Sequence, residues 1–269
     1  MISNGPESKF IQQIIEMISD TKLKRTQLFV ARYPIGVDSR AKAIESLLDI
    51  KSNDIQMAGI HGLGGIGKTT IAKAVYNRIV DHFEGSCLLE NVREKSRTND
   101  GIIQLQENLL SKILPDKHLK VDSVAEGINM IQERLHSKRI LIILDDVEKS
   151  KQIEIFLGSC DWFVSGSRVI ITTRDEHLVA TLEKVCTSYE VKEFDKHETL
   201  ELFSQPAFHG NKPREDYLEL SSHVMHYAKG LPLALVIIGF DLCGRTKLEW
   251  KSAIDKYEKK FPKKISRDT

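Results

Sequence analysis

The chain has 269 residues, with 39 Lys plus Arg against 38 Asp plus Glu, four Cys and 41% hydrophobic residues. A length of this order suggests roughly two domains and buries about 70–75% of the unfolded surface, so a core needs neither disulfides nor metal. The near-neutral charge gives no bulk electrostatic case for nucleic acid or an anionic membrane as the main partner, and the composition is far from disordered.

Residues 8–19 carry Phe10, Ile11, Ile14, Ile15 and Ile18, the stripe of a short amphipathic helix. Polar and basic residues follow as a linker, and the Tyr33-Pro34 step disfavours helix at Tyr33. The expected boundaries are a connector at 1–33 and a first domain at 34–192. Within that domain, apolar segments at 55–61, 86–92, 140–144, 168–173 and 189–191 read as strands. Segments 68–80, 102–114 and 123–136 read as helices. Alternation of this kind implies a parallel sheet covered by helices on both faces. From 193 to 260 only helices are expected, with Leu200, Leu202, Phe203, Leu218, Val224, Tyr227, Leu233, Leu235, Ile238, Leu242, Trp250 and Ile254 as core. Residues 261–269 form a basic tail. The fold class is therefore α/β followed by a small all-helical domain.

Cys87, Cys160, Cys186 and Cys243 show no CxxC pair and no metal-ligand spacing with His. Scattered thiols of this kind suit a reducing compartment, so a cytoplasmic location is expected, with a nuclear pool allowed. No basic n-region precedes an apolar core at the N-terminus. The apolar run from Leu231 to Phe240 is about half the roughly 20 residues a bilayer requires, so no membrane partner is expected.

Gly62-Leu63-Gly64-Gly65-Ile66-Gly67-Lys68-Thr69 fits GxxxxGK[ST] between an expected strand and an expected helix. Glycines let backbone N–H groups turn inward around phosphate oxygens, and the helix opening at Lys68 aims its positive end at them. Lys68 would bridge the outer phosphates and Thr69 would ligate Mg²⁺, with Thr70 beside it. A buried strand then ends in Asp145-Asp146. Asp145 would hold the metal, and Asp146 would orient or deprotonate a water. A further strand, in Gly166-Ser167-Arg168-Val169-Ile170-Ile171-Thr172-Thr173-Arg174, ends in a cation able to sense the γ-phosphate. Gly230-Leu231-Pro232-Leu233-Ala234-Leu235 opens a helix, because proline suits its first turn. His226 is expected only to decorate its helix.

These segments, in this order, resemble the NB-ARC domain of plant disease-resistance proteins, and the resemblance covers about residues 34–256. Phe83 to Cys87, Asn91 to Glu94, Asp161-Trp162-Phe163, Tyr189-Glu190-Val191, Leu200 to Phe203, Tyr227 to Pro232 and Glu249-Trp250 are similar too. Glu148 after Asp145-Asp146-Val147 resembles the branch that carries an N-terminal TIR domain. The resemblance implies a switch that is ADP-bound at rest and exchanges to ATP. It also implies TIR and leucine-rich-repeat domains in the full-length receptor, and self-association on activation. Ile35, Gly36 and Val37 look like the segment that closes over the base, and Pro232 is similar to the proline packed near adenine. Related ATPases commonly carry Glu where Asp146 stands, so hydrolysis is expected to be slow. The chain ends before the winged-helix region of the family. Two other readings are a dedicated ATPase and a truncated adaptor that uses nucleotide only for stability.

Overall fold

A computed structural model describes residues 27–114, 119–158, 162–182 and 186–260. The helix expected at 8–19, Cys160 and the tail at 261–269 lie outside the described residues. After an extended segment the chain enters α1 (Val37–Leu47), then β1 (Gln56–His61) and α2 (Lys68–Ile79). Next come β2 (Gly85–Leu89), the single turn α3 (Val92–Lys95), α4 (Asn99–Ile113) and α5 (Val124–Leu135). Then follow β3 (Ile140–Val147), α6 (Ser150–Leu157), β4 (Arg168–Thr173), α7 (Glu176–Ala180) and β5 (Cys186–Glu190). Four helices complete the described chain: α8 (Lys196–Phe208), α9 (Leu218–Ala228), α10 (Pro232–Leu242) and α11 (Lys247–Lys260).

The five strands form one parallel sheet in the order β2-β3-β4-β1-β5. Ile140 to Leu144 are at most 1% exposed, as a strand covered on both faces must be. Burying each such side chain stabilises the fold by about 1.5–3 kcal/mol before entropy is counted. One apolar core lies on the side of α4, α5 and α6, and a second lies beneath α1 and α2. The helices after β5 build a third core around Trp250, which is 1% exposed. Its indole N–H donates to Leu242 O at 2.9 Å, and Phe208 stacks on it at 5.4 Å.

The strand order has a direct consequence for the site. Because β4 lies between β1 and β3, its carboxyl end falls between the glycine loop that follows β1 and the acidic pair in β3. Ligand sites of open parallel sheets collect at that edge. Arg168, at the opposite end of β4, is fully buried, and its guanidinium is held by backbone carbonyls. It donates to the carbonyls of Leu48, Asp49, Ser52, Asp54 and Ser167. This clasps the loop between α1 and β1. Burial, with Arg139 nearby, pushes its pKa down.

Several expected elements differ in detail. Strand 86–92 stops at Leu89, because Asn91 turns left-handed (φ 58°) and starts α3. Strand 140–144 continues to Val147 through an irregularity between Leu144 and Val147. The strand expected at 189–191 is Cys186–Glu190, an edge strand with only Cys186 buried. Helices α1, α6 and α7 were not expected. Leu218 and Leu233, expected in the core, are 54% and 53% exposed.

Candidate nucleotide-binding site

The loop from Gly62 to Gly67 joins β1 to α2 and turns tightly, with Ile66 N–H donating to Leu63 O at 3.3 Å. Lys68 at the head of α2 is 8% exposed, and its ammonium donates to Gly62 O at 2.8 Å and Leu63 O at 2.9 Å. Burial first, and Arg174 second, push the Lys68 pKa down, while Asp146 and Asp145 oppose the shift. A largely buried cation at a helix N-terminus beside a second cation is a place where an anion is stabilised.

Asp145 lies opposite Thr69. Its Oδ1 accepts hydrogen bonds from the hydroxyls of Thr69 and Thr172, each at 2.7 Å. Thr172 Oγ1 also accepts the Asp146 N–H at 2.9 Å, so β4 braces both acidic residues. In a regular strand, neighbours such as Asp145 and Asp146 point to opposite faces. Here Asp146 adopts φ 56° at the register shift, and both line the same cleft. The Asp146 carboxylate faces two guanidinium groups, Arg93 Nε at 3.0 Å and Arg174 Nε at 3.7 Å.

The other end of the cleft comes from distant segments. Ile35, Gly36 and Val37 line it from the segment leading into α1, and Phe194, Leu202, Pro232 and Val236 from the chain after β5. Pro232 is the first residue of α10, and Leu233 N–H donates to Gly65 O at 3.2 Å, tying α10 to the glycine loop. Gly65 has φ 79°, and a Cβ there would sit 2.9 Å from Leu233 Cβ. Only glycine permits this approach. The cleft has a volume of about 410 Å³, within the usual range for a small-molecule site.

Of the residues singled out from sequence, Ile35, Gly36, Val37, Gly64, Gly65, Ile66, Gly67, Lys68, Thr69, Thr70, Asp145, Asp146, Arg174 and Pro232 all border this one cleft. Gly62 does not border it; its carbonyl holds Lys68 instead. His226 is exposed on α9, away from it. Sequence reasoning missed Thr172, Arg93, Arg40 and Phe194. Thr172 and Arg93 sat in quoted segments without a role, and only the strand order gives them one.

A glycine loop at the end of a parallel strand, a buried lysine, a Thr–Asp pair and a cleft that is cationic at one end and apolar at the other define a P-loop nucleotide-binding domain. The NB-ARC domain model matches residues 38–213, and the chain belongs to that family. It is 42% identical over 259 residues to the disease resistance protein RUN1 of Vitis rotundifolia, covering 96% of this chain and 19% of that protein. Identity to the TMV resistance protein N of Nicotiana glutinosa is 41% over 252 residues, covering 91% of this chain and 21% of that protein. The chain thus spans about a fifth of the length of these curated relatives. Among solved structures, Cdc6p from Pyrobaculum aerophilum superposes with a TM-score of 0.55 at 13% identity, covering 86% of this chain and 66% of that one. AMPPCP-bound DnaA from Aquifex aeolicus superposes with a TM-score of 0.52 at 16% identity, covering 87% and 68%. At such identities the likeness is one of fold. No described helix is long and apolar enough to cross a membrane.

Proposed function

We propose that this module is the adenine-nucleotide switch of a plant intracellular immune receptor, ADP-bound at rest and exchanging to ATP on activation. The observation that carries this reading is the two-ended cleft. Lys68, the loop N–H groups and Arg174 supply positive charge at one end, while Ile35, Val37 and Pro232 supply apolar surface for a base at the other. The base-end residues come from the segment leading into α1, from the crossing after β5, and from α8 and α10. A nucleotide would therefore bridge the α/β and helical parts, and its phosphate state would bias their arrangement. Such a ligand shifts an equilibrium only through differential affinity for the two arrangements.

Thr69 and Asp145 suit a magnesium ion. Both are hard oxygen donors, already brought together at 2.7 Å. Among the described residues no cluster of three or more His, Cys, Asp or Glu could hold a metal alone. An ion here would take its remaining ligands from phosphate and water, as magnesium commonly does. When bound, it would supply charge neutralisation at the phosphates. Slow hydrolysis fits Asp146, whose carboxylate is engaged by Arg93 and Arg174 and is shorter than a glutamate. In the full-length receptor, TIR and leucine-rich-repeat domains would flank the module, and self-association would follow activation. Such a receptor would act in the cytoplasm, with neither nucleic acid nor a membrane as its direct partner.

Calorimetric titration of the purified, nucleotide-stripped chain with ADP and with ATP plus magnesium tests this reading. One saturable site for each is expected. Absence of binding by both would remove it.

A further inference from the structure

Besides Lys68, the acidic pair and Arg174, the cleft is bordered by a charged residue with no role so far, Arg40 on α1. It is engaged on every side. Its Nη1 lies 2.5 Å from Glu198 Oε1 and its Nη2 2.9 Å from Glu198 Oε2, a two-pronged pair across 158 residues of sequence. The side chains are only 15% and 18% exposed. Nη1 also donates to Gly36 O at 2.8 Å, and the guanidinium lies 4.8 Å over the Phe194 ring. Glu198 is anchored in turn: it is the third residue of α8 and closes a capping box with Asp195, whose N–H donates to Oε2 at 3.2 Å.

We infer that the Arg40–Glu198 pair is the latch that holds the α/β part and the helical part closed over the base end of the cleft, so that Arg40 is a positioning residue that sets how fast nucleotide leaves. The inference rests on the cleft being the nucleotide site. Its geometric basis is that one guanidinium joins three segments that border the cleft. Gly36 comes from the strap before α1, Phe194 from the crossing between β5 and α8, and Glu198 from the helical part. The close approach is built in. A Cβ on Gly36, which has φ 64°, would sit 2.1 Å from Glu198 Oε1. Phe194 N–H then donates to Gly230 O at 3.0 Å, just ahead of Pro232. Loosening the pair therefore frees both walls of the base end together. A bidentate, half-buried ion pair is stronger than an exposed one, and removing one partner leaves the other charge uncompensated.

The test is the release rate of a fluorescent ADP analogue, chased with unlabelled ADP, from the wild-type chain, Arg40→Met, Glu198→Gln and the double variant. Glutamine can keep the capping role of Glu198, so that variant isolates the charge. Each single variant is expected to release ADP about tenfold faster, with the double variant no faster than the quicker single one. Wild-type release from Glu198→Gln, or single effects that multiply in the double variant, would overturn the latch. Should Arg40→Met fail to fold, Glu198→Gln against Arg40→Lys carries the same comparison. A wild-type chain that binds no ADP would contradict the nucleotide reading instead. Amide exchange at Phe194, which reports its bond to Gly230, then tests the pair alone: faster exchange in Glu198→Gln supports the latch, and an unchanged rate overturns it.

Discussion

The two ends of the cleft are built in opposite ways. The phosphate end has a local cradle: Gly62 to Thr70 supply a turn, a helix start, a lysine and a hydroxyl within one β-strand–loop–helix unit, to which β3 and β4 add Asp145, Asp146 and Arg174. The base end is assembled from residues as far apart as Ile35, Phe194 and Pro232, and it is held by tertiary contacts such as Arg40 with Glu198. The difference teaches that charge recognition can be encoded in one short stretch of backbone. Recognition of an apolar base requires several elements to arrive together, so that end is the one that can respond to domain arrangement.

This contrast can be broken at either end. The largest change in affinity is expected at Lys68→Arg, because a planar fork cannot take the place of a compact ammonium held by two loop carbonyls. ADP affinity should fall about a hundredfold, read by calorimetry, since two or so charge-assisted bonds are lost. Undiminished binding would place the phosphates elsewhere. Next comes Gly65→Ala, which forces a side chain into φ 79° and against Leu233. It should cost about 1–2 kcal/mol of stability, read as a lower denaturation midpoint, and weaken ADP binding by pushing α10 off the loop. Retained stability and affinity would show that α10 docking does not matter to the cleft.

Asp146→Ala should leave nucleotide affinity near wild type while abolishing turnover, measured as phosphate release under saturating ATP. A variant with wild-type turnover would take Asp146 out of the chemistry. The smallest effect concerns pH. The hydrogen bond from Arg40 holds the Glu198 carboxyl below its usual value of 4.5, against the opposing effect of burial. A depressed carboxylate contributes stability above its unfolded value and loses it as pH falls through the folded one. Thermal midpoints of the wild type and Glu198→Gln should therefore differ by a constant amount near neutrality and converge as pH drops below 4.5. A gap that widens on acidification would contradict the pairing.

The same contrast explains what could be read from sequence. The glycine loop and Arg174 follow strands β1 and β4, and Asp145 and Asp146 follow the aliphatic run Ile140 to Leu144 within β3, apolar stretches that announce them. Helix α1 buries Ala41 and Ile44, with Leu48 buried just past its end, yet it was hidden behind a segment expected only to close over a base. Helix α7 spans five residues, too few for periodicity to register, and β5 buries one side chain at the sheet edge. Thr172 acquires its partners only once β4 pairs with β3, and Arg93 only because α3 follows β2, the other neighbour of β3, and no local pattern specifies either pairing. Pro232 and Ile35 to Val37 were legible through family resemblance. Arg40 was not, because its partner lies in a different part of the fold.

The most direct test of the central claim is to purify the chain without added nucleotide, denature it and identify what is released by chromatography. ADP is expected at close to one equivalent, retained by the latched cleft. An empty protein, or a guanine nucleotide in its place, would contradict it.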